Sequence, residues 1–410
     1  MRLLRVAVLV AACVTCSRPA SGQAEPDPRA DARFHVGPLY LTPTISITNL
    51  GVDNNVFNSA EAPESDFTFS LRQNLDAAVP FGRKALLTTT GAVTVDYYWR
   101  FSRERAVSGN LVARLEHYLN RMTIFLEAGE ESTRQRPNFE IDARLRREHR
   151  SGSAGVSVRV FRKLYLEPSV AVSEARFDAT AMYDGVQLRD TLGRDTRTGR
   201  LAARWRATPL TSFGLRVEAE ADRFPWAPER NADTARVTAG VDMRPRALVS
   251  GSAHVGVHRF RTLSRKLPDD EGLFAQATLA YRIVSSTSLE LTAKRDVGYS
   301  YQVREPYYVV KMWGLVVRRH LGSSFAASLG ALRNWYAYRP FDQAPPAVED
   351  AALKPGRVDL TWNYTASISH GSPRGRQVGV AASYVDRQSS TKRTLAYNST
   401  RVGMFVVQRF

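Results

Sequence analysis

The chain has 410 residues, of which 57 are Lys or Arg and 40 are Asp or Glu, for a formal charge of +17; 43% of its residues are hydrophobic. Its charges form no long single-sign block, and it carries only 26 glycines and two cysteines, which excludes a disordered chain, a collagen and a disulfide scaffold. A mean hydropathy of −0.30 excludes a bundle of membrane helices.

In chain order, the first element is an export signal. Arg2 and Arg5 give a positive start, Val6 to Ala12 an apolar stretch, and Gly22-Gln23-Ala24 a small-residue cleavage site, so residues 1–24 read as a signal peptide. Both cysteines, Cys13 and Cys16, fall inside it, which suits a bacterial envelope protein without structural thiols. Val10-Ala11-Ala12-Cys13 also reads as a lipoprotein box, with Cys13 lipidated instead. Loss of the leader removes Arg2, Arg5 and Arg18 and no acid, lowering the charge from +17 to +14. A short segment, 25–37, then leads into one domain, 38–410.

Along that domain the hydrophobic period is two, and no window after the leader reaches the ~18 apolar residues of a spanning helix. Alternation runs from Leu39 to Asn49, Phe67 to Ala77 and Leu86 to Tyr98. It then sets Phe213, Leu215, Val217 and Ala219 against Arg216, Glu218, Glu220 and Asp222. It continues through Ala235 to Met243, Ala247 to Arg259, Leu273 to Ile283 and Leu289 to Tyr299, and is cleanest at Val358 to Ile368. Strands this long exceed the usual five or six residues and reach the ~10 that a tilted membrane strand needs.

The connections alternate as well. Short ones are predicted at Pro80–Arg83, Leu119-Asn120, Phe161–Lys163, Thr208–Leu210, Arg244–Arg246, Ser285-Ser286, Leu321-Gly322 and Gly371–Pro373. Longer polar ones are predicted at Gly51–Glu64, Glu131–Arg146, Asp178–Asp195, Pro225–Asn231, Thr262–Asp270 and Arg339–Lys354. Tight turns on one rim and long loops on the other predict an all-β, antiparallel up-and-down transmembrane barrel of about 18 strands. The Arg-rich run Glu140–Arg150 reads equally as loop, strand extension or extra hairpin. A sheet in hydrocarbon must close, because each unpaired backbone group there costs several kcal/mol.

At the C-terminus Val402, Met404, Val406 and Phe410 share one face, the pattern read by the outer-membrane assembly machinery; Gln408 departs from it. Tyr97, Tyr98, Trp99, Tyr307, Tyr308, Trp335, Tyr336 and Tyr338 stand near strand ends, where they are expected to anchor the rims at the lipid headgroups.

A barrel of this size is too wide for its own side chains to fill. Arg200, Arg204, Arg206, Arg216, Glu218, Glu220, Asp222, Arg236 and Arg282 are the candidate pore-lining residues, with Arg200 expected opposite Glu218 or Glu220. They could form a constriction that orients polar solutes, or simply neutralise one another on a wet wall. The positive balance would draw anionic solutes, acidic polysaccharide among them, or equally serve rim arginines contacting lipopolysaccharide phosphates, or keep the chain soluble before insertion; dispersed bases argue against nucleic acid. No cofactor or metal is implied: His254 and His258 share a strand face but lie about 13 Å apart, too far for one zinc. No phosphate loop or nucleophile elbow occurs, so no catalytic set is assigned, although His117, His320 and His370 could join a protease or acyl-hydrolase site built from separate strands.

Asn49-Leu50-Gly51-Val52-Asp53-Asn54-Asn55-Val56-Phe57, followed by Ser65-Asp66-Phe67-Thr68-Phe69 and preceded by Pro43 in the first strand, resembles the start of the beta-barrel porin family associated with exopolysaccharide operons. Val52 stands where that family has an aromatic. The resemblance implies an outer-membrane barrel taking part in export of a secreted polysaccharide. Asp53, Asn54, Asn55 and Asp66 are the external-loop candidates, fixing the loop by hydrogen bonds to backbone or binding calcium. The function expected is passage of polar solute or polymer without chemistry. The alternatives are a closed structural or adhesive barrel and, third, a barrel enzyme.

Overall fold

The computed structural model describes residues 32–245, 247–284, 286–340, 356–390 and 395–410. The expected leader 1–24, the Cys13 box, residues 25–31 and most of the Arg339–Lys354 connection lie outside them, as do Arg246 and Ser285 within two turns.

Each alternating segment becomes a strand because an extended backbone puts successive side chains on opposite faces, one for lipid and one for water. The first half of the wall is β1 (Leu39–Asp53), β2 (Asp66–Phe81), β3 (Ala85–Tyr98), β4 (Ala106–Tyr118), β5 (Met122–Gln135), β6 (Leu145–Arg159), β7 (Leu164–Phe177), β8 (Arg194–Arg206) and β9 (Thr211–Arg223). The second half is β10 (Ala232–Met243), β11 (Val249–Thr262), β12 (Asp270–Val284), β13 (Thr287–Tyr299), β14 (Tyr307–Leu321), β15 (Phe325–Arg339), β16 (Val358–Gly371), β17 (Arg376–Ser389) and β18 (Tyr397–Arg409). Each pairs antiparallel with the next, and β1 pairs with β18, closing an 18-stranded barrel among the described residues. The segment ahead of the wall adds a three-residue strand, Phe34–Val36, folded back on the start of β1.

All eight predicted short turns fall on one rim. The opposite rim carries nine connections, three more than the sequence suggested: 99–105, 300–306 and 390–396. The 300–306 segment escaped because Tyr301 and Val303 continue the apolar pattern of the flanking strands. The expected Glu131–Arg146 loop is shorter, since β5 runs to Gln135 and β6 takes up the Arg-rich run from Leu145. Arg147 is held there by Glu131 at 3.4 Å.

The outer face is apolar and bare: Phe213, Leu215, Val217, Val237, Val255, Val257, Leu273 and Leu329 are exposed, while the charged residues between them are turned inward and partly or wholly covered. Surface of that extent is stable only against lipid. Trp205, Phe213, Tyr281, Phe325 and Phe410 lie exposed toward the short-turn rim, and Trp99, Trp313, Trp335, Tyr364 and Tyr384 toward the long-loop rim. Val402 and Met404 join the outer face, with Val406 half-buried.

The rim aromatics require a correction. Trp99 and Trp335 are exposed and Tyr97 is half-buried, but Tyr98, Tyr307, Tyr308, Tyr336 and Tyr338 are buried. Tyr336 and Tyr338 have the parity of the water-facing row, and the long loops cover them: Phe139 stacks on Tyr336 with ring centroids 3.4 Å apart. The hydroxyl of Tyr307 donates to the carbonyl of Pro268 in the neighbouring loop.

Candidate functional site

Two layers of polar side chains occupy the interior. The lower one is the lumenal face of β7 to β10. Register places Arg200 directly opposite Glu218, and the Arg200 Nε donates to Glu218 at 2.7 Å. Glu218 also receives Arg236 at 2.9 Å, and Arg236 reaches Glu220 at 3.2 Å and Asp296 at 3.5 Å. Arg204 is buried against Glu167, its guanidinium over the Tyr165 ring. Asp222 accepts from Thr196 and from the Tyr299 hydroxyl. Most of the row is thus mutually neutralised.

Arg206 and Arg216 differ. Neither has a carboxylate within salt-bridge distance among the described residues, and each has a covered Nε without a hydrogen-bond partner. Arg206 lies over Tyr165, 4.8 Å from the ring centre, and Arg216 lines a small cavity with Arg200, Arg204 and His254. Arg282 stands apart from this group, exposed where β12 meets its short turn. His254 and His258 each face an acid of their own, Asp242 at 3.3 Å and Asp270 at 2.9 Å.

The upper layer is a cap that the sequence did not disclose. The loop 136–144 rises between β5 and β6 and turns into the mouth, leaving Glu140 and Ile141 fully buried. Glu140 accepts from the Tyr338 hydroxyl at 2.5 Å on β15 and from the Ser300 hydroxyl at 3.0 Å in the 300–306 loop. Arg387 on β17 donates to the carbonyl of Phe139 at 2.9 Å and to Asp142 at 3.3 Å. These anchors sit between a third and a half of the ring away from β5 and β6, so the loop crosses the opening.

Three further loops join it. Ile141, Phe177, Ala181, Leu188, Leu192 and Tyr301 form a small apolar core that includes a one-turn helix, Leu188–Leu192. Arg230 from the 224–231 loop donates to the carbonyls of Thr191, Ser300 and Gln302. Burial lowers the Arg230 pKa to about 10, leaving it charged at neutral pH. Arg357, fully buried, bonds Asp359 at 2.5 Å and faces Glu305 at 3.5 Å. Burial pushes Glu305 up to about 7, against the pull of Arg357. Burial likewise raises Glu140 and Asp142 above the usual carboxylate range.

Beside the cap, a cavity of about 610 Å³ opens among the first four long-rim connections, lined by Phe57, Glu61, Glu104, Arg134, Arg144 and Tyr183 among others. The only advance signal for the cap was Phe139-Glu140-Ile141, two apolar residues around an acid in an otherwise polar connection.

The first external loop is pinned by its own motif. Asp53 binds Arg401 and the Ser399 hydroxyl and accepts from the Asn55 amide; Asn54 accepts from the Thr400 amide at 2.7 Å; Asn55 donates to Asn398 at 2.9 Å. Asp66 accepts from the backbone amides of Phe67, Arg100 and Phe101. Those oxygens accept from protein donors, and the bonds tie β1 to β18 as well as shaping the loop.

No curated protein matches this chain. Among solved structures it is similar to a BenF-like porin from Pseudomonas fluorescens Pf-5, at 9% identity over 92% of this chain and 99% of the other, with a TM-score of 0.49. It is similar also to OccK2 (OpdF) of Pseudomonas aeruginosa, at 11% identity over 90% and 98% with a TM-score of 0.49, and to OprD of the same organism, at 10% over 93% and 97% with a TM-score of 0.46. Residues 27–410 match the family described as "Putative beta-barrel porin 2", and with its closed wall and lipid-ready outer face this chain belongs to that family, as a porin-like barrel of the bacterial outer membrane.

Proposed function

We propose that the barrel passes polar solutes with a preference for anions and does no chemistry of its own. The observation that carries this reading is the pair Arg206 and Arg216, lumenal bases without acids in a row whose other arginines are neutralised. Unpaired cations in a narrow, water-filled, low-dielectric passage concentrate counter-charged solute. The test is single-channel recording in planar bilayers under a salt gradient. Ohmic steps with an anion-directed reversal potential are expected, and cation preference would overturn the reading.

A second reading, a closed barrel whose loops hold a partner outside, is favoured by the cap itself, with Glu140, Arg357 and Arg387 locked across the mouth. Electrical silence of correctly folded protein would select it. The sharper form of the first reading, a secreted acidic polysaccharide as the solute, draws support from the motif at residues 49–69 and requires the cap to swing aside. Block of the single-channel current by an acidic oligosaccharide, weakening with added salt, is its expected signature.

A further inference from the structure

Two neighbouring bases on the lipid side of the wall have no acid within salt-bridge distance among the described residues. Lys311 on β14 and Arg333 on β15 share the outward row with Trp313 and Trp335. Register sets Lys311 opposite Trp335 and Trp313 opposite Arg333, making the two bases diagonal neighbours about 7 Å apart. Arg333 lies among aromatic rings, 5.1 Å from the centre of Trp362 and 5.7 Å from that of Trp335, and Trp313 packs edge-on against Trp362 at 5.5 Å. Its Nε is covered and without a partner. Among the described residues neither Lys311 nor Arg333 makes a salt bridge or side-chain hydrogen bond.

Two outward arginines elsewhere toward the same rim are paired, Arg223 with Asp233 at 2.7 Å and Arg259 with Glu271 at 2.5 Å, while Arg197 and Arg261 are exposed without a salt bridge among the described residues; Lys311 and Arg333 differ from these in being adjacent bases set among tryptophans. In the register, the acid sharing the Lys311–Arg333 face, Asp386, is separated from Arg333 by Trp362. Depth also fits an external anion. Arg333 lies eight residues up β15 from Phe325, which is exposed at the short-turn rim. At 3.4 Å per residue and a tilt near 40° that is about 20 Å, close to the top of an apolar band about 25 Å tall. Unmatched cations at that level are stabilised when a headgroup supplies the counter-charge, and guanidinium and ammonium donors both suit phosphate oxygens.

We propose that Lys311 and Arg333 bind a lipid A phosphate of outer-leaflet lipopolysaccharide, with its acyl chains laid over Trp313, Trp362, Tyr364 and Tyr384. The long-loop rim faces outward, which puts the pair in the leaflet where that lipid resides. The proposal is independent of what crosses the lumen.

The test is native mass spectrometry of the full barrel in detergent, titrated separately with bisphosphorylated lipid A, the same lipid dephosphorylated, phosphatidylglycerol and inorganic phosphate. Tight retention of bisphosphorylated lipid A alone is expected, reduced at least about tenfold by removal of its phosphates. A Lys311→Gln/Arg333→Gln double variant with unchanged heat-modifiable migration should lose the same factor, whereas Arg223→Gln should not. Equal retention of the phosphorylated and dephosphorylated lipids, equal retention of phosphatidylglycerol, or an unaffected folded double variant would overturn the assignment. If the double variant does not fold, Lys311→Gln alone and the wild-type lipid series decide the matter.

Discussion

Asp53 and Arg401 stand 348 residues apart in the chain and bond across the seam where the barrel closes, Arg401 Nε donating to Asp53 at 3.2 Å. Just before Asp53 the β1 strand bulges between Ile47 and Leu50, with Asn49 at a φ of +53°, which brings Gly51 against the backbone of β18. A Cβ at position 51 would run into the carbonyl oxygen of Val402. The motif of the first loop is therefore also the latch of the wall.

Breaking that latch should loosen closure. Arg401→Ala leaves the buried Asp53 carboxylate short of its cation, at an expected cost of about 1–3 kcal/mol. The midpoint of the heat-modifiable gel shift should fall, and fall less in the Asp53→Asn/Arg401→Gln pair than in Arg401→Ala. Gly51→Val should be worse than either, through steric conflict on the seam.

Releasing the cap should change conduction. Glu140→Leu removes the acceptor shared by Tyr338 and Ser300, and Arg387→Ala frees the Phe139 carbonyl. Both variants are expected to show larger or noisier single-channel steps than wild type; Glu140→Leu should leave barrel stability nearly unchanged because the wall ladder is untouched, whereas Arg387→Ala, which also takes a cation from the buried Asp359, should lower it. Identical steps in both variants would mean that the cap does not limit flow.

The cap should also respond to acid. Glu305 is faced by Arg357, Asp359 and Glu140, and burial lifts it from the ordinary 4.5 to about 7. Protonation thus favours the packed loop: this contribution is fully present below about pH 4.5 and is lost as pH rises through about 7. Hydrogen-exchange protection at residues 300–306, taken relative to the intrinsic exchange rate at each pH, should be highest in acid and fall across that window. Glu305→Gln should flatten the response.

The unpaired lumenal bases give a charge test. Arg206→Glu/Arg216→Glu should shift the reversal potential toward cations, most strongly at low salt, where screening is weakest. Arg200→Gln/Glu218→Gln removes a charge of each sign together and should leave selectivity nearly as it was.

Much of this architecture was legible in the sequence because it follows from local rules. In Phe213 to Asp222 each residue meets one of two solvents, so alternation alone assigns Leu215 outward and Glu218 inward, and the eight short turns follow from where alternation stops. The cap was not legible, because a loop that docks across a mouth leaves no period. Glu140 meets Ser300 at a separation of 160 residues, and Phe139 meets Arg387 at 248. The same cause misplaced Tyr336 and Tyr338, whose local pattern suits a headgroup belt but whose neighbours are supplied by the third loop.

By itself, then, the order of residues determined an all-β wall, its approximate strand number, which side chains face oil and which rim carries the turns, since backbone geometry converts a repeat of two directly into two faces. Only the three-dimensional structure decided which lumenal arginines go unmatched, how the opening is covered and what latches β1 to β18. Those outcomes depend on groups far apart in the chain, whose meeting is fixed by the closed ring and by burial.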